Sequence, residues 1–379
     1  MMKKLQFLAV LLAVSMPLTL AGCGKDKKDD TSYKDDYIIA KVGDESSMDY
    51  ATAYTYVKIL QAEAYNYTKN ILGSNNATTT NIWSTKLDDD SEYKTYGEQF
   101  KGDALNSIKE LLLCQVHSDE YNVVFSDDDK NACNDAAAKV IENTGEEAAA
   151  AMHADKDSVS NVLKLLAVEE RVKNEINKNV DTEVSADDAG QSTFSYVKIT
   201  KKDNKNPEKL AKKIIKNTED GTDFETAVSN EDLTAEDISF TTTIPEYDEY
   251  GKEMLKHALK MKDGDCDSYE DSNKNIIVMY MKAINDEDAT ETKKSEIIED
   301  RKNEAYDEVI KNWEEEENVD IDKKAWNSIS VDDETVFTTK NNSDDNSEGT
   351  EIETGDSSIS VNASLSDADT EETKGDDDK

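Results

Sequence analysis

Tyr50, Tyr54, Val57, Leu60, Ala64, Tyr67 and Ile71 recur at steps of three and four, which places them on one helix face as a core-facing stripe. The run Tyr37-Ile38-Ile39-Ala40-Lys41-Val42-Gly43 before them is short, β-prone and ends at glycine. A stretch rich in Asn, Thr, Ser and Asp between Gly73 and Asp90 reads as a loop. Leu105, Ile108, Leu112 and Val116 mark a second helix. Ser126 followed by Asp127, Asp128 and Asp129 supplies an N-cap and acidic first turn for a third, with Ala132, Ala136 and Val140 as its stripe. Asp157 is the expected cap of a fourth, which carries Val159, Leu163 and Leu166 inward and has Ile176 near its end.

The periodicity changes after Asp181. A polar junction leads to a strand around Phe194, Val197 and Ile199. A helix then runs from Pro207 through Leu210, Ile214 and Ile215 to a stop at Gly221. Phe224 and Val228 fit a short helix, Ile238 and Phe240 a strand, Met254 to Lys260 a helix, and Ile276 to Met281 a final apolar strand. The predicted order is β-α-α-β-α-β over less than about a hundred residues, the size of a small domain. Helical spacing returns with Ile297, Ala305, Val309 and Trp313, and Trp326, Ile329 and Val331 form a last β-prone patch. One long helix cannot bury its stripe alone, so it is expected to fold back on the first helical segment, with the mixed unit as an insertion. The predicted class is α+β, mostly helical.

Composition changes this picture in two ways. Only three prolines and 14 glycines punctuate 379 residues, which suits long helices. The formal net charge is -41, and the stretch from Asn341 to Lys379 holds 13 acidic residues against two lysines. From Ser343 onward the chain reads as too poor in apolar groups to order itself. Without that tail and the leader the body still carries about -32. Such a field repels nucleic acid and anionic lipid, and it favours solubility and attraction of cations or of basic, partly unfolded chains.

Catalytic and metal-binding motifs are sparse. Cys114, Cys133 and Cys266 have no CxxC spacing, which leaves either one disulfide or three small buried side chains. His117, His153 and His257 are far apart in sequence and do not suggest zinc. Asp263-Gly264-Asp265-Cys266-Asp267 starts like a calcium loop, but Ser268 replaces its required glycine and Lys274 its closing glutamate. No phosphate-cradling glycine loop or GxSxG elbow occurs. Neither a metal nor a cofactor is expected.

At the start of the chain, Lys3 and Lys4 precede an apolar run from Leu5 to Leu20 that is too short for a comfortable membrane span. Leu20-Ala21-Gly22-Cys23 then resembles the lipobox of bacterial lipoprotein signal peptides. The resemblance implies a signal peptide over 1–22 and lipidation of Cys23 with a diacylglycerol group. Two acyl chains anchor durably where one holds only marginally. A charged tether fills 23–36.

The order of parts resembles the extracytoplasmic foldases of the PrsA and SurA type, whose inserted unit is a parvulin-type peptidyl-prolyl isomerase. The likeness runs from about Tyr37 to Val331. Its local matches are Ala211 through Gly221-Thr222-Asp223-Phe224 for a helix ending in G-x-D-F, Ala258-Leu259 through Lys262-Asp263-Gly264-Asp265 for A-[FL]…L-K-x-G-E, and Asn275-Ile276-Ile277-Val278 for H-I-I-K. The implied domains are 37–190 and 286–332 for the helical chaperone part, 191–285 for the parvulin-like part, and an acidic disordered tail over 333–379.

Parvulins surround the proline bond with two histidines and a Cys or Asp. Here the resemblance puts Tyr196 and Asn275 at the histidine positions and Glu231 at the acidic one, with Tyr250, Met254 and Phe240 as substrate-binding residues. Tyr196 and Asn275 both donate and accept hydrogen bonds, so they either keep a hydrogen-bond scaffold or fill a small core. The implied function is a lipid-anchored chaperone on the extracytoplasmic face of the cell membrane, with unfolded or nascent secreted polypeptides as partners and no nucleic acid. An active peptidyl-prolyl isomerase and a solute-binding lipoprotein of a transporter are the alternatives.

Overall fold

The computed structural model describes residues 33–72, 82–88, 91–241, 249–331, 337–340, 350–354 and 357–361. The chain opens with strands β1 (Ile38–Val42) and β2 (Ser46–Asp49) and helix α1 (Tyr50–Leu72). It continues with α2 (Tyr96–His117), α3 (Asp127–Thr144), α4 (Glu146–Ala151) and α5 (Lys156–Asn177). Then come α6 (Ala186–Ala189), β3 (Gln191–Ile199), α7 (Pro207–Glu219), α8 (Phe224–Ser229), β4 (Glu236–Thr241), α9 (Glu249–Ala258), β5 (Cys266–Glu270) and β6 (Ile276–Ala283). The last elements are α10 (Glu287–Glu316), β7 (Val319–Ile321), α11 (Lys323–Ser328), β8 (Thr338–Lys340), β9 (Thr350–Thr354) and β10 (Ser357–Val361). They form two compact units. The first joins residues up to Lys178 with those from Tyr306 onward, and the second spans Asn179–Ala305.

In the first unit, α1, α2 and α3 all pack on α5. Ser126 caps α3 by accepting from the Asp129 N–H, and Asp129 returns the bond by accepting from the Ser126 N–H. The buried stripe of α3 is Cys133, Ala137 and Val140, displaced by one residue from the expected Ala132 and Ala136. Helix α5 is capped by Asp155 and not by Asp157, because only Asp155 completes a reciprocal pair with Ser158. Leu165 is buried, while the expected Leu166 is half-buried. Along α2, Ile108 and Leu111 to Cys114 are buried as an unbroken block.

The late segment completes this unit. Strand β7 pairs antiparallel with β1, setting Val319 opposite Val42 and Ile321 opposite Ala40. The Asp322 N–H donates to the Ile39 carbonyl, and Tyr37 Oη donates to Asp322 Oδ2 at 2.6 Å. Trp326 belongs to α11 and not to the strand expected there, since Asp322 caps a helical turn by accepting from the Lys324 and Ala325 N–H groups. Lys101 Nζ donates to the carbonyls of Trp326, Asn327 and Ile329, the unsatisfied end of that helix. Gln61 Nε2 donates to the Val331 carbonyl at 2.7 Å. The buried residues of the returning part of α10 are Tyr306, Ile310 and Trp313, and Val309 is half-buried. Strands β8, β9 and β10 form a small antiparallel sheet within the stretch expected to stay unordered. Its register sets Ile352 opposite Ile359.

The second unit is a four-stranded antiparallel sheet in the order β4-β3-β6-β5. One face meets α7 and α8 through Val197, Ile199, Ile214, Phe224, Val228 and Val278. The other meets α9 through Phe194, Phe240, Met254, Leu255, Ile277 and Met281. The central β6 is therefore apolar at consecutive positions. The element order is β-α-α-β-α-β-β, since Cys266–Glu270, whose apolar pattern is weak, pairs along β6. The first half of α10 also belongs here, because Arg301 donates to the Asp181 and Glu183 carbonyls and the Gln191 N–H donates to Thr290 Oγ1.

Two consequences follow for stability. Asp129 receives two bonds of 2.9 Å from Arg171, whose Nη1 also donates to the Val124 carbonyl. The guanidinium bonds hold the Asp129 carboxyl well below the usual carboxylate range despite partial burial. Its contribution is complete above about pH 5 and is lost as pH falls through the depressed value. Asp129→Asn is expected to cost about 1–2 kcal/mol at neutral pH. Paired denaturant titrations should show that gap closing between about pH 5 and pH 2. A gap independent of pH would disprove the assignment. Gly97 is the second case. A Cβ there would lie 2.9 Å from the Trp83 carbonyl oxygen, and Trp83 stacks on Tyr96 at 5.4 Å. Gly97→Ala should lower stability by about 1 kcal/mol despite the gain in helix propensity. A rise in melting temperature would refute it.

Candidate functional site

The sequence-based site falls on the second unit, and its residues divide among three places. Tyr196 is on β3, where its hydroxyl donates to Glu236 Oε2 of β4 at 2.5 Å. Across the other strand pair Tyr196 faces Met279 and not Asn275. Asn275 lies four residues earlier, about 13 Å along an extended strand. The two positions expected to carry a pair of polar groups therefore do not meet.

Asn275 has a structural task in the turn between β5 and β6. Its N–H and that of Asn273 donate to Asp271 Oδ1, and Asn275 Nδ2 donates to Asp271 Oδ2 at 2.9 Å. Asp271 is 2 % exposed, so these bonds satisfy a carboxylate that water cannot reach. Lys274 beside it has φ 68°, a backbone region that L side chains adopt reluctantly and that the Asp271 bonds help to hold.

Glu231 follows α8 and makes a 2.5 Å ion pair with Lys213 of α7. Helices α7 and α8 cover the sheet face that Val197 and Val278 line. Tyr196 packs with the cluster of the other face. Phe240 and Met254 also lie there, but at 2 % and 3 % exposure they are core residues and present no open surface to a proline. The Tyr250 side chain and Cys23 lie outside the described residues. Of the expected residues the structure brings together only Tyr196, Phe240 and Met254.

A polar array under α8 was not anticipated. Ser195 is fully buried on β3, and its Oγ donates to Asp237 Oδ1 at 2.6 Å. Lys282 of β6 donates to Asp237 Oδ2 at 2.7 Å and to Glu225 Oε1 at 2.6 Å. Thr193 and Ser239 extend the array by a 2.8 Å bond between their hydroxyls. The sequence signal is slight: two polar residues each on β3 and β4 and one on β6, at positions whose strand neighbours point the other way. Beside the array lies a shallow groove lined by Asp223, Glu225, Thr226, Ser229, Leu233, Thr234 and Ala235.

The electrostatics make the array a fixed network. Burial pushes the Asp237 carboxyl up, but the bonds from Lys282 and Ser195 more than offset it and hold it below the usual range. Burial opposes the charge on Lys282, yet Asp237 and Glu225 raise its pKa above the ordinary lysine value. Lys282 therefore stays protonated and supplies neither a base nor a nucleophile at neutral pH. Ser195 has no access to solvent, and the carboxylate it bonds, Asp237, is also held by Lys282. Asp223 is held down by the Thr226 N–H that it caps at the start of α8.

The remaining reactive side chains are similarly quiet. Burial pushes the Cys266 thiol up to about 11, which keeps it from the reactive thiolate form. Cys114, Cys133 and Cys266 are all free thiols. Among the described residues no group of His, Cys, Asp and Glu is arranged to hold a metal ion. No helix among them is long and apolar enough to cross a membrane.

Comparison with known proteins adds structural neighbours of low similarity. No protein-family model matches the chain, and no curated protein matches it. Among solved structures, PrsA from Bacillus subtilis shares 19% identity, with 65% of this chain and 96% of that one covered and a TM-score of 0.25. A peptidylprolyl isomerase (PrsA) from Bacillus cereus shares 13%, with 65% and 97% covered and a TM-score of 0.27. The foldase protein PrsA from Streptococcus pneumoniae shares 16%, with 64% and 97% covered and a TM-score of 0.23.

Proposed function

We propose that this protein is a lipid-anchored extracytoplasmic foldase of the PrsA type that acts as a chaperone for secreted polypeptides, without a working isomerase centre. The observation that carries the reading is a helical unit completed by two chain segments that flank a small antiparallel α/β unit in sequence. The order of the short motifs from Ala211 to Val278 supports it from the sequence side. The leader-like run ending at Cys23 supports the anchor and the extracytoplasmic address.

Chaperone binding needs neither nucleotide nor metal. Among the described residues the exposed large apolar side chains are Tyr37, Ile38, Val124, Leu259 and Ile284. A client contact of a few hundred Å² at about 25 cal/mol per Å² leaves weak, reversible binding once association costs are met. The purified chain is expected to suppress aggregation of an unfolded secreted protein, measured by light scattering. No suppression at stoichiometric excess would sink the proposal.

The enzymatic alternative requires polar groups converging on an accessible apolar pocket, to act on a bond whose barrier is about 18–20 kcal/mol. Glu231 engaged with Lys213, Asn275 engaged with Asp271 and a buried Met254 weigh against it. Isomerisation of a proline-containing peptide should proceed at the uncatalysed rate, and Tyr196→Phe should leave both that rate and aggregation suppression unchanged. Catalysis that Tyr196→Phe abolishes would reinstate the isomerase.

A further inference from the structure

Helix α7 carries a strongly basic face on a strongly acidic protein. Lys209, Lys212, Lys213 and Lys216 follow one another at steps of three, one and three, which places them on one side of the helix. All four are exposed, while Ala211 and Ile214 on the opposite side are buried against the sheet. Lys202 and Lys205, in the turn before the helix, are exposed as well.

Several carboxylates close to this face are already engaged, while Glu219 and Asp220 at the end of the helix are exposed. Glu231 pairs with Lys213, Glu270 with Lys274 and Lys201, and Glu208 lies 3.9 Å from Lys201. Asp203 accepts from Thr200 Oγ1 at 2.6 Å. Among the described residues Lys202, Lys205, Lys209, Lys212 and Lys216 have no carboxylate within ion-pair distance. A helix could have been held to the sheet without this stripe, because only its other side makes the packing contacts.

We propose that the lysine face of α7 is a docking surface for an anionic lipid bilayer. The net charge of -41 argues for repulsion only if charge is pooled over the whole chain. At physiological salt the screening length is about 8 Å, so a bilayer meeting this face responds to the lysines and not to distant carboxylates. The chemistry of the face favours lipid over an acidic polypeptide. It is made of point-like ammonium groups, with no arginine fork to fix a carboxylate and no exposed aromatic or aliphatic side chain to read a sequence. Headgroups that move laterally can adjust to such a stripe, and each lysine near the surface raises partitioning about fivefold. The inference needs only the second unit and holds whether or not Cys23 is lipidated.

The test uses the full chain mixed with neutral vesicles or with vesicles containing about a third anionic lipid. Acetylation of individual lysines by a soluble reagent is followed by mass spectrometry, with exposed Lys178 of the first unit as reference. Lys209, Lys212 and Lys216 are expected to react at least about fivefold more slowly on anionic than on neutral vesicles. The difference should vanish at about 0.5 M salt, where screening shortens to a few Å. In a Lys209→Glu, Lys212→Glu, Lys216→Glu variant with an unchanged melting temperature, Lys202 and Lys205 should lose their protection. A Lys→Gln version at the same three positions provides the same readout if charge reversal disturbs folding. Equal rates on the two kinds of vesicle would overturn the proposal. So would protection by soluble polyglutamate with none on anionic vesicles, an outcome that assigns the face to acidic polypeptides.

Discussion

The first unit depends on a closure between segments almost 300 residues apart. Strand β1 is too short to be stable with β2 alone, and β7 gives it a second partner. The closure is reinforced on both sides of that pairing. Asp322 bonds to Tyr37 and caps α11, Lys101 satisfies the carbonyls at the end of α11, and Gln61 holds the Val331 carbonyl. Tyr306 contributes from α10, with its hydroxyl 3.4 Å from Cys114 Sγ and 3.2 Å from Glu169 Oε1. Each link ties a residue after position 300 to one before position 180. A loop of that length has a large closure entropy, though the cost grows only logarithmically with length, so a few buried bonds and one strand pair can offset it.

The second unit solves a different problem. Its central strands β3 and β6 are covered on both sides, so their apolar positions are nearly continuous, and the sheet leaves little room for polar chemistry. Several of the polar side chains it buries satisfy one another. Ser195, Asp237, Lys282 and Glu225 form one chain of contacts, while Asp271 and Asn275 close a turn. A catalyst would need at least one such group left free and aimed at substrate. Here the charges are spent on holding the sheet together.

The sequence was most legible where two independent signals coincided. Helix α7 has Pro207 at its start, a stop near Gly221 and an amphipathic stripe between, and it forms over Pro207–Glu219. Helix α3 has an unambiguous cap at Ser126, yet its stripe is misplaced by one residue because Ala132, Ala136, Ala137 and Ala138 offer almost no contrast in hydrophobicity. Strand β5 escaped because Cys-Asp-Ser-Tyr-Glu has a weak apolar pattern and takes its order from pairing with β6. Aligning Asn275 with a family histidine rested on one short apolar match, whereas strand register, which the sequence does not encode locally, puts Met279 opposite Tyr196.

Charge has to be read at the same local scale. A net value of -41 describes how the protein behaves at distances beyond the screening length, where it opposes self-association. Within that length the surface is heterogeneous. The groove beside α8 carries Asp223 and Glu225, while α7 of the same unit presents free ammonium groups. Different local potentials thus lie side by side on one small unit. Contacts with surfaces of that kind form quickly and break quickly.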